Sequence, residues 1–432
     1  MADWKTTKLG DRRFFKIRSS GVISFEGKKD YLSTSSVDGT SIVNIEEEVK
    51  FSNRPSRANM QPVPNSVWFA KMKNTLKVLF ADEYLINRTI LSTGYCGIEL
   101  EKFDPEYFFQ FLLSHSFNVQ KNYLAEGSTQ EAINNSKIKN IKISYPNDIT
   151  EQHQIANILT AVDKAIVSSE KIIAKYKRIK NGLINDVLTR GIDKNGNLRS
   201  YDTHQFKESV LGRIPKDWVV YTLKRALIES KGYIQTGPFG SQLHSHEYTI
   251  DGTVPVIMPQ DINETSISLE KIAKISEAKA NNLSKHRVLK NDIIFARRGD
   301  ISRIAVITEQ QKGWFCGTGC ILLRTEKIGI IDPTWFTYFY KSFLGQNQIN
   351  ANAVGLMMVN LNSSVLNNLL MFKLPYEEQN RIVLFLGKVE KMIESKKNNL
   401  LKLHSIKTGL MQDLLSGKVR LSEELLLREG IE

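Results

Sequence analysis

Two stretches of this chain align without a gap over their whole length. EQHQIANILTAVDKAIVSSEKIIAKYKRIKNGLINDVL runs from Glu151 to Leu188, and EQNRIVLFLGKVEKMIESKKNNLLKLHSIKTGLMQDLL runs from Glu378 to Leu415. The offset is constant (378 − 151 = 227 and 415 − 188 = 227). Gln152/Gln379, Ile155/Ile382, Leu159/Leu386, Val162/Val389, Ile166/Ile393, Lys175/Lys402, Gly182/Gly409, Leu183/Leu410 and Asp186/Asp413 are among the matches. The chain is therefore a tandem duplication, and whatever fold one half adopts the other must repeat.

In both copies apolar residues recur at steps of three and four, at 155, 159, 162, 166, 173, 176, 183 and 187 and at the matching positions of the second copy. Ser169/Lys396 and Lys180/Lys407 interrupt the stripe. The spacing predicts a heptad seam on a helix roughly 57 Å long at 1.5 Å per residue. Such a stripe needs a partner, and the duplication supplies one. The two helices are expected to pair antiparallel, as similar halves related by a pseudo-two-fold do.

The duplication extends beyond the helices. Asp3-Trp4 matches Asp217-Trp218, Asn65-Ser-Val-Trp-Phe-Ala-Lys71 matches Asn291-Asp-Ile-Ile-Phe-Ala-Arg297, Asp104-Pro105 matches Asp332-Pro333, and Pro146 matches Pro375. The offset drifts from 214 (217 − 3) to 229 (375 − 146), as it does when loops change length between shared strands. Short β-like runs occur at 41–45, 66–70, 76–80 and 141–146, and again at 254–259, 292–296, 304–307 and 320–323. Each Asp-Pro pair should open a helix, with proline at its first position. The fold class expected is α+β, with domains at 1–150 and 215–375, long helices at 151–190 and 376–418, a turn-rich connector at 191–214 and a short tail at 419–432.

At 432 residues the chain is too long for a single core. Its formal charge of +13 makes a polyanion the first candidate partner, with nucleic acid ahead of a membrane surface. Three cysteines, Cys96, Cys316 and Cys320, are too few for a disulfide framework and lack the companions of a structural zinc site. No run of about 18 apolar residues occurs, so a cytoplasmic protein with no membrane partner is expected.

Catalytic motifs are absent. There is no phosphate-binding GxxxxGK[ST] loop, no Asn/Asp-Pro-Pro-Tyr/Phe of an amino-methyltransferase and no HExxH. Glu48-Val-Lys50 has a nuclease-like form without an aspartate partner, and His244, His246 and Glu247 suit a solvated loop better than a metal site. The chain is expected to bind, not to catalyse, and to need no cofactor.

Four groups of residues suit DNA contact. Arg54, Arg57, Asn59 and Gln61 place guanidinium forks and amides in one segment, the pairings that read guanine and adenine edges. Lys71 and Lys73 occupy the same strand end as Arg297 and Arg298 in the other half, fitting phosphate or base contact. Ser128, Thr129 and Gln130 follow a glycine, and Gln235, Phe239, Ser241, Gln242 and His244 surround the glycine-bearing TGPFGSQL. Taken singly each group fits an exposed turn held by salt bridges better, whereas the duplicated Lys71/Arg297 position favours contact.

Together these features resemble the specificity subunit of type I restriction-modification systems. The two EQ…DLL helices, SVLGRIPKDW, TGPFGSQL, IIFARRGD, PSRAN and GLMQDLLSGKVRL carry the likeness, which spans the whole chain. It implies two target-recognition domains, separated by two helices forming an antiparallel coiled coil, each domain reading half of a split site in double-stranded DNA. It further implies docking of two DNA-adenine methyltransferase subunits, with restriction subunits in the larger complex. One departure is KMKNT in the first half against RRGDI in the second, so the basic contact carries over only to Lys71. A fused methyltransferase-nuclease partner, a stand-alone nucleic-acid enzyme and a coiled-coil protein without DNA binding remain alternatives.

Overall fold

The computed structural model describes residues 4–127, 131–249, 251–263, 266–270, 272–327, 329–351 and 360–421. Ser128, Thr129 and Gln130, and the tail beyond Leu421, lie outside the described residues. The chain forms two compact units, one of residues 1–171 with 397–432, the other of residues 172–396. Each unit is thus assembled from both halves of the sequence.

In the first unit a four-stranded antiparallel sheet runs in the order Phe15–Ile17, Tyr95–Leu100, Ser66–Ala70, Val78–Phe80. The second unit repeats it as Tyr233–Thr236, Cys320–Arg324, Ile293–Ala296, Ile304–Val306. The strand Ser66–Ala70 is buried at every residue, and Ile293–Ala296 is too. Runs buried on both faces read as continuous apolar stretches, which is why these two were visible in sequence. Each unit adds a second sheet with one parallel pair, Lys29–Leu32 beside Thr89–Ser92 and Val254–Ile257 beside Phe315–Cys316. A two-stranded ribbon completes each, Trp4–Lys8 with Lys142–Pro146 and Val219–Thr222 with Leu370–Lys373. At 41–45 only Ser41–Ile42 is a strand.

A helical hairpin lies on each main sheet, Pro105–Leu113 with His115–Tyr123 and Pro333–Lys341 with Phe343–Ala351. Asp104 caps the first by accepting the Tyr107 N–H at 2.7 Å, and Asp332 does the same for Trp335 at 2.8 Å. The duplicated glutamines explain themselves here. Buried Gln152 accepts the Asp104 N–H at 3.0 Å and donates to the Pro146 carbonyl at 2.9 Å, while Gln379 accepts the Asp332 N–H at 2.7 Å. Each ties the start of a long helix to the cap of a short one.

The long helices span Ile149–Arg190, 42 residues, and Tyr376–Leu414, 39 residues. The first extends two residues beyond each end of the duplicated stretch. The second ends at Leu414, short of the expected 418, because a Ser416-Gly417 turn follows. In the first unit Ile155 and Leu159 share a core with Leu414 and Leu415; in the second, Val187 and Leu188 share one with Ile382 and Leu386. With Asp163 paired to Lys407 in the first unit and Lys180 to Glu390 in the second, rising numbers on one helix meet falling numbers on the other, so within each unit the pairing is antiparallel.

The interruption of the seam at Lys180 and Lys407 is filled by ion pairs. Lys407 lies 2.5 Å from Asp163, and Lys180 lies 2.6 Å from Glu390. The short helices join them, Gln110 donating to Asp163 at 3.0 Å and Tyr338 to Glu390 at 2.8 Å.

Helix ends close on tryptophans. Gly191 and Gly417 both adopt φ near +73°, the left-handed conformation that terminates helices. A Cβ on Gly191 would lie 2.7 Å from the Trp218 ring, and one on Gly417 would lie 2.7 Å from the Trp4 ring. Beside Gly191, buried Glu378 accepts the Ile192 N–H at 3.1 Å and the Trp218 ring N–H at 3.2 Å, and pairs with Arg199 at 2.7 Å. Burial raises the Glu378 carboxyl above its usual range, and Arg199 and Trp218 oppose that rise. The counterpart Glu151 pairs with Arg420 at 2.9 Å. Both ends of the 191–214 segment are anchored, with Ile192 and Ile214 buried in the second unit's core.

Candidate nucleic-acid interface

In the first unit, candidate contact residues gather at one end of the main sheet. The Lys71 N–H donates to the Gly94 carbonyl at 2.9 Å, and the neighbouring Thr93 N–H donates to the Arg57 carbonyl at 2.9 Å. Lys71 and the Arg57–Gln61 segment thus flank a single turn. Their side chains differ in availability. Arg57 is exposed. Arg54 is spoken for: its guanidinium donates to the Phe51 carbonyl at 2.6 Å and lies over the Phe51 ring. The Gln61 side-chain oxygen accepts the Ile23 N–H at 2.8 Å, so it braces the loop after the first sheet strand. Asn59 is half-buried on the strand Ala58–Met60. Lys73 pairs with Glu131 at 2.7 Å.

The second unit builds the same corner. The Arg297 N–H donates to the Gly319 carbonyl at 2.8 Å, as Lys71 does to Gly94, and its carbonyl accepts the Leu361 N–H as that of Lys71 accepts the Ile133 N–H. Lys71 and Arg297 are structural equivalents. Arg297 is half-buried, with its guanidinium on the Asn360 side chain at 3.1 Å, whereas Arg298 is exposed. On the far side of the same central strand, the Gly237 N–H donates to the Cys320 carbonyl at 2.9 Å, rooting the loop that carries Phe239, Ser241, Gln242 and His244. Phe239 is 59% exposed, Ser241 and His244 are exposed, and Gln242 turns back to accept the Phe239 N–H. Gln235 sits on the strand, bonded to the Thr236 carbonyl at 2.9 Å.

Exposed cations, amides and an exposed ring on rigid strand ends can meet phosphates and base edges. Elsewhere the chemistry is quiet. All three thiols are buried, and burial pushes Cys96 up to about 12 and the others higher, so none is a reactive thiolate. Glu48 is bound to Lys28, and Glu247 to Lys279. His244 and His246 stack at 5.5 Å on the surface. Among the described residues, no cluster of three His, Cys, Asp or Glu could hold a metal ion, and no helix is long and apolar enough to cross a membrane.

The features that sequence reasoning missed are the supporting ones. Gln110, Lys121, Tyr338 and Tyr340 are polar side chains that reach from the short helices to the long helices or hairpin turns. In sequence each is one more residue of an amphipathic helix, and only the comparison of equivalent positions in the two halves would have drawn attention to them.

The type I restriction modification DNA specificity domain matches this chain twice, over residues 1–180 and 215–403. The chain belongs to that family. Among relatives of this specificity-domain chain is the type I restriction enzyme MjaVIII specificity subunit of Methanocaldococcus jannaschii, 23% identical over 97% of this chain and 93% of the relative. A putative MjaX specificity subunit of the same organism is 24% identical over 74% of this chain and 69% of its own. A solved chain from a study of assembly and conformational transition in the type I R-M system superposes with TM-score 0.60 and 16% identity, over 95% of this chain and 97% of that one. The type I S subunit of M. genitalium superposes at 0.53 and 16%, over 96% of each. The MjaVIII relative and the two solved chains align over 95–97% of this chain.

Proposed function

We propose that this chain is the DNA-reading specificity subunit of a type I restriction-modification complex. Residues 1–150 and 215–375 act as its two target-recognition domains, 151–190 and 376–418 as its spacer helices, 191–214 as the connector and 419–432 as the tail. The observation that carries the reading is the duplicated basic corner, Lys71 and Arg297 held by the same backbone bonds on two copies of one sheet. Each copy would read one half of a split site in double-stranded DNA, and their different loops would specify different bases. The subunit itself performs no chemistry and needs no cofactor; two DNA-adenine methyltransferase subunits would supply the methylation, and restriction subunits the cleavage, in the cytoplasm. A flipped adenine at each half-site is how such partners reach their target. Ile179 and Ile406, equivalent positions on the two helices, are 41% and 51% exposed and suit one partner per half.

Sequencing the methylated bases in a host carrying the complete system tests this. Two short specified blocks separated by an unread spacer of fixed length are expected. A single continuous motif, or no motif, overturns the reading. Inserting four residues into each long helix should change the spacer length, since groove registry repeats about every 10 base pairs. Turnover by the purified chain alone with DNA and S-adenosylmethionine or Mg²⁺ would instead favour a stand-alone enzyme.

A further inference from the structure

The strand that carries Lys71 turns back on itself through residues 73–77, and the strand that carries Arg297 does so through 299–303. Flanking pairs Val67↔Phe80 and Ile293↔Val306 fix the offset at 226 (293 − 67 = 226), so Thr75 and Ile301 occupy the same place in the two turns. The carbonyl of each accepts a hydrogen bond from the helical hairpin behind it. Lys121 donates its ammonium to Thr75, and Tyr340 donates its hydroxyl to Ile301 at 2.7 Å.

The donors are not equivalent residues. At the helical offset of 228 (333 − 105 = 228), Lys121 matches Ile349 and Tyr340 matches Leu112. All four are buried, with exposures of 1%, 1%, 0% and 0%. The polar group has moved from one short helix to its neighbour while the carbonyl it serves has stayed in place. Burying a lysine where the other half uses isoleucine carries a desolvation cost, which lowers the Lys121 pKa to about 8. A pair of positions that changes twice yet keeps one bond points to the bond as the thing retained. Asn122 adds a second hold in the first unit, accepting the Asn74 N–H at 2.9 Å.

We propose that Lys121 and Tyr340 are positioning residues for the two basic hairpins, each setting the angle at which its own domain presents Lys71 or Arg297 to DNA. The inference rests on the DNA-reading function above and adds to it a division of labour: each residue governs one half-site and leaves the other alone.

Site selection from a random DNA pool, with the full chain in complex with its methyltransferase subunits, tests this. The parent should select two half-sites, and failure there counts against the function rather than the positioning. Lys121→Ile should lose preference at one half-site, with affinity falling roughly tenfold, the scale of one lost hydrogen bond to a buried carbonyl. Tyr340→Phe should lose preference at the other half-site. The double substitution Leu112→Tyr, Lys121→Ile transplants the second unit's solution into the first and should restore the parent's preference. Unfolding midpoints distinguish positioning from folding. A well-folded Lys121→Ile chain that selects both half-sites like the parent overturns the proposal, and so does equal loss at both.

Discussion

The ammonium of Lys180 lies 2.6 Å from the carboxylate of Glu390, across the pair of long helices. Adding 227 to the positions of the counterpart pair, Asp163 and Lys407, maps Asp163 onto Glu390, and Lys180 maps onto Lys407. One ion pair, seen twice with its signs exchanged between helices, occupies the polar position Lys180 or Lys407 in each copy of the seam. Both residues of the Lys180–Glu390 pair are partly sheltered, at 23% and 33% exposure. Lys180→Glu should therefore destabilise the chain by roughly 1 kcal/mol, and the exchange Lys180→Glu, Glu390→Lys should recover much of it. Urea titrations of the two single variants, the double variant and the parent close the cycle; additive losses would show that the pair contributes no coupling.

Gly182 and Gly409, equivalent positions inside the long helices, face open space. A Cβ added at Gly182 or Gly409 meets nothing within 4 Å. Alanine at either position should stabilise by about 0.5–1 kcal/mol through helix propensity. Gly191 should behave oppositely, because its φ of +73° and the nearby Trp218 ring and Glu378 carboxylate leave no room for a methyl group. Thermal melts should rise for Gly182→Ala and Gly409→Ala and fall for Gly191→Ala.

His286 is 1% exposed and lies 5.7 Å from the Phe315 ring. Burial, aided by Lys285, lowers its pKa to about 4 from an unfolded value of 6.5. Between these values the unfolded chain binds a proton that the folded chain does not, so stability falls as pH drops from about 6.5 to about 4, by at most roughly 3 kcal/mol. Other groups titrate in this window, so the informative quantity is the difference from His286→Gln. That variant should lose less stability than the parent between pH 6.5 and 4.5 in denaturant unfolding, and equal losses would contradict the assignment.

The availability of the basic residues ranks them for DNA binding. Arg57 and Arg298 are exposed, whereas Arg54 is occupied by the Phe51 carbonyl. Arg57→Ala and Arg298→Ala should each weaken DNA binding, and any of the two that contacts a phosphate should reduce the salt slope by about one. Arg54→Ala should mainly loosen its own turn. Fluorescence anisotropy across a salt series reads both quantities; a larger loss for Arg54→Ala than for the other two would reverse the ranking.

Much of the fold was legible in the sequence, for identifiable reasons. The strands 66–70 and 293–296 are buried on both faces, so they appear as apolar runs, and Asp104-Pro105 and Asp332-Pro333 carry their helix-start signal within two residues. The candidate site was less legible. Arg54, Arg57 and Gln61 look alike as DNA ligands, but only the folded chain distinguishes an exposed guanidinium from one bonded to Phe51 and an amide bonded to Ile23. The segment 41–45 looked like a strand because it is apolar, yet Val43 is 62% exposed and leaves the ladder.

Duplication, helical periodicity and family membership were fixed by residue order alone, because each is a property of spacing along one chain. What the tertiary structure decided is which end of each helix completes which core. A heptad stripe specifies an apolar face but not the surface that buries it. Here Leu414 and Leu415 fill the core of the first unit, and Val187 and Leu188 fill that of the second. The same holds at the hairpin turns, where Lys121 and Tyr340 reach one carbonyl from different helices. A hydrogen bond depends on where atoms meet in space, and residues far apart in sequence can satisfy it equally well.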